Sequence, residues 1–453
     1  MEIMNDETAA WLKSRDSREY LELLEFPSIG ADPAHLRDSV QCATWLKKWL
    51  EGIGAEARLL TADFAPPVLF AELKSSEDAP TVLFYGHYDV QPPDPADEWD
   101  TPPFEPSVKG DRVYARGAQD DKGQAFAFLC GVRRLVESGG LKVNLKIVLE
   151  GQEESGSAAL AKLAPGLRRE LAADVMLVCD SSAADDLRPA IVAGLRGVNH
   201  FTVKLTSASR DLHSGEYGGI APNAAQGMVE LMASLHHPDG TVAVAGFRDG
   251  IETADREELR LAEAFCRGEE AYREDIGCDP VGGQMGKTIA QRNGFEPTIE
   301  INGIHSGYGG PGSKTVIPCE AVAKLSTRLV PGQNPEKAFE AVRRHLKDRT
   351  PRGMKLEITD FTGGAPGFRL PLASPLFRLA QDVLNEMDSR GAVFYWNGAS
   401  IPIVSVLREV SGAAPLIVGW GQSEDRIHSP NESYSVRQFE KTREWAEKIL
   451  TAL

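Results

Sequence analysis

Disulfide scaffolding is absent from this chain. Its six cysteines (Cys42, Cys130, Cys179, Cys266, Cys278 and Cys319) are scattered through 453 residues with no C-x-x-C pair. Most are expected to be buried thiols rather than a covalent framework. No window approaches the roughly 18 apolar residues that a membrane span requires. Met1 to Ser17 is polar and charged, without the apolar stretch of a secretory signal. Basic residues are also in short supply. The 49 Lys and Arg stand against 66 Asp and Glu, giving a formal charge of −17, and no basic stripe emerges to neutralise phosphates. No strand-like run is followed by G-x-G-x-x-G, which removes the dinucleotide-binding reading. Internal repeats and low-complexity segments are lacking too. The expectation is a cytoplasmic protein with no membrane and no nucleic-acid partner. With 42% hydrophobic and 25% charged residues the chain is ordinary globular material, and its length predicts two or three domains.

What is present is a set of short apolar runs that each end in a polar residue. Thr81-Val82-Leu83-Phe84 leads into Tyr85-Gly86-His87-Tyr88-Asp89, Leu145 to Leu149 into Glu150-Gly151-Gln152-Glu153-Glu154, and Val175 to Cys179 into Asp180. Far downstream Leu416-Ile417-Val418 precedes the loop that holds His428. Helical patterns alternate with these runs: much of the first 60 residues, a helix through Val136, and an amphipathic helix from Val436 to Leu450. Near-continuous apolar strands between helices predict an α/β fold with a mostly parallel sheet covered on both faces. In such sheets ligands bind beyond the carboxyl ends of the strands.

Between about Gly194 and Phe368 the texture changes. His200 to Thr206, Ala321 to Val330 and Lys355 to Asp360 read as strands, separated by helical stretches at Ala224 to Leu235 and Pro335 to Leu346. This predicts an α+β domain, residues 194–368, inserted into an α/β domain made of residues 1–193 and 369–453. Residues 240 to 297 add a charged, helix-rich excursion to which the sequence assigns no chemistry.

The strand-end residues collect into one constellation: His87, Asp89, Asp120, Glu153, Glu154, Asp180 and His428. Carboxylates in such number repel one another and need cations among them. Mixed imidazole and carboxylate donors suit zinc, manganese or cobalt better than magnesium or calcium. Two histidines and three carboxylates suffice for two ions when one carboxylate bridges, and paired ions polarise carbonyls and activate water. In H-x-D, the aspartate is suited to hold the second ring nitrogen of a ligating His87.

Several ordered motifs then identify a resemblance. Gly86-His87-Tyr88-Asp89-Val90-Gln91-Pro92 resembles the G-H-x-D-V-x-P of the M20 metallopeptidases, the group of carboxypeptidase G2 and the carnosinase-like cytosolic dipeptidases. Arg116 to Gly123 is similar to that family's R-G-x-x-D-x-K-G, and Glu150 to Gly156 to its E-G-x-E-E-x-G. Asp211-Leu212-His213-Ser214-Gly215, Lys314 to Pro318 and His428-Ser429-Pro430-Asn431-Glu432 follow in order. The resemblance implies a zinc-peptidase-like catalytic domain with an inserted lid and dimerisation domain. It also implies two divalent ions, zinc first, with manganese or cobalt as alternatives. Asp120 would bridge them, with His87 and Asp180 completing one site and Glu154 and His428 the other. Glu153 would be the general base, and Asp89 would orient His87. His213 would steady the oxyanion across a homodimer formed through the lid. Arg328, Thr315 and Ser400 would meet the substrate. The implied substrate is a dipeptide or small peptide with a free C-terminal carboxylate, and the alternative is an N-acyl amino acid or a succinyl-diaminopimelate-type compound. Two departures fall where substrate contact is expected. Asn397-Gly398-Ala399-Ser400-Ile401-Pro402 stands in place of E-G-G-S-I-P, and Thr362 occupies a position where carnosinase-like members carry histidine.

Plainer roles suit other residues. Gly86, Gly117 and Gly156 are expected to allow tight turns. His35, His200, His236, His237, His305 and His345 have no partner pattern. Arg343-Arg344-His345 reads as a solvated helix face. A metal-stabilised binding protein without turnover is the reading from another class, and Glu153 counts against it because a binding site needs no base.

Overall fold

The computed structural model describes residues 6–62, 64–184, 186–361 and 363–453; Thr362 lies outside them. The chain divides into two compact units. One comprises Met1–Ala193, Leu370–Phe394 and Ile403–Leu453, and the other Gly194–Arg369 and Tyr395–Pro402. The sequence assigns Tyr395–Pro402 to the outer domain; in the structure it groups with the second unit, and Ser400 with it.

The first unit is built on a mixed sheet. Seven of its nine strands run in the order Glu56–Leu60, Val68–Leu73, Asn144–Glu150, Thr81–His87, Val175–Val178, Ala414–Gly419 and Ala190–Leu195. The central four pair in parallel. Val68–Leu73 and Ala190–Leu195 flank that block antiparallel. The central strands are buried along almost their whole length, as continuous apolar runs covered on both faces must be. Phe84 stacks on Phe128 of the helix Lys122–Glu137 with ring centroids 4.0 Å apart.

That helix is buried nearly all round, and two contacts explain how it is held. Arg133, itself buried, donates to Glu19 at 2.5 Å and pairs with Asp16, fastening the helix Arg15–Leu24. On another face Gly131 meets the C-terminal helix Val436–Ala452, where a Cβ on Gly131 would lie 2.7 Å from both the Arg443 carbonyl and Ala446 Cβ. The two helices therefore touch backbone to backbone.

The second unit carries a four-stranded antiparallel sheet ordered Thr298–Ser306, Glu320–Leu329, Gly197–Thr206 and Lys355–Thr359. Alternate residues (Phe201, Val203, Leu205, Ala321, Ala323, Leu325) share a core with Met228 and Leu231 of the helix Ala224–Ala233 and Val342 and Leu346 of Pro335–Asp348. By strand alternation Arg328, Thr298 and Glu300 take the opposite face.

Three expectations need correction. Glu56–Leu60 is a strand, paired to Val68–Leu73, inside the stretch read as helical. His345 is buried rather than solvated and lies 3.0 Å from the Ser234 hydroxyl. Of the cysteines only Cys42, Cys130 and Cys179 are buried, while Cys278 is exposed.

Because Gly131 has no space for a methyl group, Gly131→Ala should force the two helices apart and destabilise the first unit by about 1–3 kcal/mol. Chemical denaturation of the variant beside the wild type measures this, and equal stability would contradict the packing described.

Candidate metal centre

Parallel pairing brings the first ligand candidates together. His87 ends its strand opposite Glu150, and Val175–Val178 lies on the other side of the same strand, running on through Cys179 to Asp180. His87, Glu153, Glu154 and Asp180 thus leave one edge of one sheet. Asp120 enters from the turn before Lys122–Glu137, and His428 from the loop after Ala414–Gly419.

Asp120 occupies the middle. Its Oδ1 is 3.2 Å from His87 Nε2 and its Oδ2 is 3.0 Å from His428 Nε2. His87 Nε2 is 3.9 Å from Asp180, and His428 Nε2 is 3.3 Å from Glu154 Oε1. Two groups hold their donor atoms within 4.8 Å of one another: His87, Glu153 and Asp180, and Asp120, Glu154 and His428. Glu153, assigned from the resemblance as a base and not a ligand, stands close enough to belong to the first group.

The surrounding atoms set these donors. His87 Nδ1 lies 3.1 Å from the Asp89 carbonyl oxygen, a bond that requires the ring N–H on that nitrogen and leaves Nε2 facing the cluster. The Asp89 carboxylate is 3.4 Å from the same ring nitrogen and accepts the backbone N–H groups of Glu153 and Glu154, each at 3.1 Å. One aspartate therefore fixes a histidine and the two adjacent glutamates together. His428 has a left-handed backbone with φ 58°, a conformation costing a non-glycine residue about 1–2 kcal/mol. Gly86 is not a turn glycine. A Cβ there would come within 2.9 Å of Asp121 Oδ2, the oxygen that accepts the His87 N–H at 3.2 Å. Gly117 and Gly156 do have positive φ, at 82° and 96°.

Electrostatics follow from burying so many acids. Burial, then the Asp180, Glu154 and Asp120 charges, outweigh His87 and push Glu153 up to about 8. Burial and Asp120 push Asp180 up to about 7. Hydrogen bonds to Asp120 and Glu154 raise His428 to about 10. Burial alone would raise Asp120, but the bonds from His428 and His87 hold it below the usual carboxylate range. Cations placed among these oxygens would release the protons the cluster otherwise takes up. The residues fit such ions. His87 Nε2 and Glu154 Oε1 are buried and face only other members of the cluster, Asp120 at 3.2 Å and His428 at 3.3 Å, and imidazole nitrogen with carboxylate oxygen is a donor set for divalent transition metals.

Two residues within the quoted motifs do work that sequence reasoning did not assign. Gln91 Nε2 donates to Glu154 Oε2 at 2.7 Å, leaving Oε1 for the cluster. Glu432 is buried, pairs with Arg116 at 2.8 Å, and accepts the N–H groups of Gly117, Gln119 and Asp120. It clamps the turn that presents Asp120.

The remaining candidates all belong to the second unit and form two pairs. His213 is exposed, and its Nδ1 accepts the Gly215 N–H at 3.0 Å, leaving Nε2 as the free nitrogen. Ser214 N donates to the Thr315 carbonyl at 3.1 Å, so Thr315 adjoins His213. Arg328 Nη1 donates to Ser400 Oγ at 2.9 Å.

Two histidines and a set of half-buried acids gathered at one end of a sheet are the kind of donor set that holds divalent ions in metallohydrolases. Residues 83–452 match peptidase family M20/M25/M40, and the chain belongs to that family. It is 31% identical to the human Beta-Ala-His dipeptidase, an alignment covering 81% of this chain and 73% of that protein. It is 27% identical to a Cys-Gly metallodipeptidase of Schizosaccharomyces pombe over 92% and 91% of the two chains. Among solved structures, an M20 family metallo-carboxypeptidase from Sulfolobus solfataricus superimposes with a TM-score of 0.86 at 29% identity, covering 97% of this chain and 99% of that one. Human carnosine dipeptidase 1 gives 0.78 at 27%, covering 99% and 98%. Among the described residues no helix is long and apolar enough to cross a membrane.

Replacing Glu432 by Gln would leave the buried Arg116 without its counter-charge, and breaking a buried pair this way costs about 3–5 kcal/mol. The variant should unfold at lower denaturant and retain less metal when isolated. Wild-type values for both would contradict the clamp.

Proposed function

We propose that the chain hydrolyses dipeptides or small peptides with a free C-terminal carboxylate, using two divalent ions. The observation that carries this reading is Asp120, with one oxygen turned to His87 and the other to His428. His87 and Asp180 would hold one ion, Glu154 and His428 the other, and Asp120 both. When bound, the pair supplies Lewis acidity toward water and toward the scissile carbonyl. Zinc is the first choice for this donor set, with manganese or cobalt as alternatives.

Glu153 takes the proton work. Its carboxylate stands among the donor atoms of His87 and Asp180, a place suited to a group that removes a proton from water and hands it to the departing amide nitrogen as the C–N bond breaks. Asp89 is a positioning residue, since it holds both the His87 ring and the backbone of Glu153. Arg328 has the planar fork suited to a substrate carboxylate; burial lowers its pKa, and Ser400 steadies it. Thr315 is a further contact. His213, with Nε2 free, would donate to the developing oxyanion of a substrate held by a second copy. That role requires a homodimer through the lid. The edge strand Thr298–Ser306, with Ile301 and Ile304 exposed, is the sort of surface such pairing covers. A cytoplasmic location completes the proposal.

The relatives named as dipeptidases support the peptide reading. The absence of an acid at Asn397 keeps the deacylase of N-acyl amino acids as the second reading. Hydrolysis of a dipeptide panel beside N-acetyl and N-succinyl amino acids decides between them, and turnover confined to the acylated compounds would sink the dipeptidase reading.

Glu153→Gln should lower turnover by about 10²–10⁴-fold with the metal content unchanged. Undiminished activity would remove Glu153 from the chemistry. If His213 acts across the dimer, mixing the inactive Glu153→Gln and His213→Ala proteins under subunit exchange should restore about a quarter of the wild-type activity. No recovery on verified exchange would contradict action in trans.

A further inference from the structure

The second unit contains a cavity of about 640 Å³, within the size range of small-molecule sites. Much of its wall comes from the 240–297 excursion, joined by Arg196 and the start of the strand Thr298–Ser306. Three arginines line it, Arg196, Arg248 and Arg292, against two carboxylates, Glu296 and Glu300. Glu296 is claimed twice, by Arg248 at 2.8 Å and by Lys287 at 3.1 Å.

Arg196 and Arg292 find only carbonyls. Arg196 donates to Gly398 O at 3.0 Å and Glu296 O at 3.3 Å. Arg292 donates to Thr288 O at 3.4 Å and to Gly282 O. Carbonyl oxygens orient a guanidinium without neutralising it. Burial, then the neighbouring Arg328, push Arg196 down to about 10, and the Glu300 carboxylate offsets them only in part. A chain of net charge −17 here gathers positive potential around a hollow, and local potential rather than total charge decides what a site takes up. The wall is closely built. A Cβ on Gly240 would lie 2.0 Å from the Gly283 carbonyl, and one on Gly283 would come within 3.4 Å of Arg292 Cδ.

We propose that this cavity binds a small dianion, a dicarboxylate or a phosphate, gripped by the guanidinium forks of Arg196 and Arg292. The planar fork matches both kinds of oxyanion. Glu300 confines the site to ligands that leave its own corner to water or to a hydrogen-bond donor. The lining shares no residue with the metal centre, and the site goes beyond the hydrolytic reading. Thr298 on its wall is the register partner of Arg328, so the test must separate the cavity from the proposed substrate clamp.

Isothermal titration of the metal-loaded protein with inorganic phosphate, and separately with succinate, provides that separation. The wild type should show saturable binding. Arg292→Ala should weaken that component at least about tenfold, while Arg328→Ala should leave it within about threefold. Arg292→Lys, which keeps the charge and loses the fork, should fall between and covers the case of a poorly folded alanine variant. Phosphate alone binding, or succinate alone, identifies which oxyanion the site takes. Absence of saturable binding with both probes, an Arg292→Ala isotherm equal to the wild type, or a loss confined to Arg328→Ala would each overturn the proposal.

Discussion

Mutual repulsion among crowded, half-buried carboxylates is the constraint on which the first unit turns. Asp120, Glu153, Glu154 and Asp180 converge at one sheet edge, and acids so placed cannot all stay ionised without positive charge between them. Two histidines supply part of it, and burial with the neighbouring acids pushes Glu153 and Asp180 up toward holding protons. Like charges are brought this close because Asp180 and the Glu153–Glu154 turn lie just past neighbouring parallel strands, while the turn clamped by Glu432 holds Asp120 beside them. The fold imposes the crowding, and divalent ions would relieve it.

The structure spends buried hydrogen bonds on keeping that arrangement. Asp89 ties the His87 ring to the Glu153–Glu154 backbone. Glu432 ties the Asp120 turn to the C-terminal part of the chain. Gln91 fixes one oxygen of Glu154. None of these touches the cluster as a donor to an ion, yet each decides where a donor atom stands. Supporting partners of this kind orient ligands as much as the ligands' own strands do.

His87 and Asp180 were legible from sequence because each closes an apolar run, with Glu153 and Glu154 just past another, and parallel sheets expose such ends together. Asp120 and His428 enter from a turn and a loop and have no such run directly before them. The support of His87 by Asp89 was legible in H-x-D, but the clamp was not, since Glu432 and Asp120 lie over 300 residues apart and nothing local links them. Glu56–Leu60 escaped because both its faces are partly wet, which erases the apolar alternation of a half-buried strand. Thr298–Ser306 escaped for a related reason: it is an exposed edge with a register shift between Ile301 and Gly303. His345 was misread because its neighbours Arg343 and Arg344 are charged, although the helix turns it inward to Ser234. The arginines around the lid cavity come from distant segments and gave no local pattern at all.

The central claim, that Asp120 stands between two cations, is tested most directly by counting ions. Elemental analysis of the purified protein, after dialysis against metal-free buffer, should give about two divalent ions per chain, and about one or fewer for Asp120→Ala. A wild-type protein that retains none after reconstitution with zinc, manganese or cobalt, or an Asp120→Ala variant that still holds two, would contradict it.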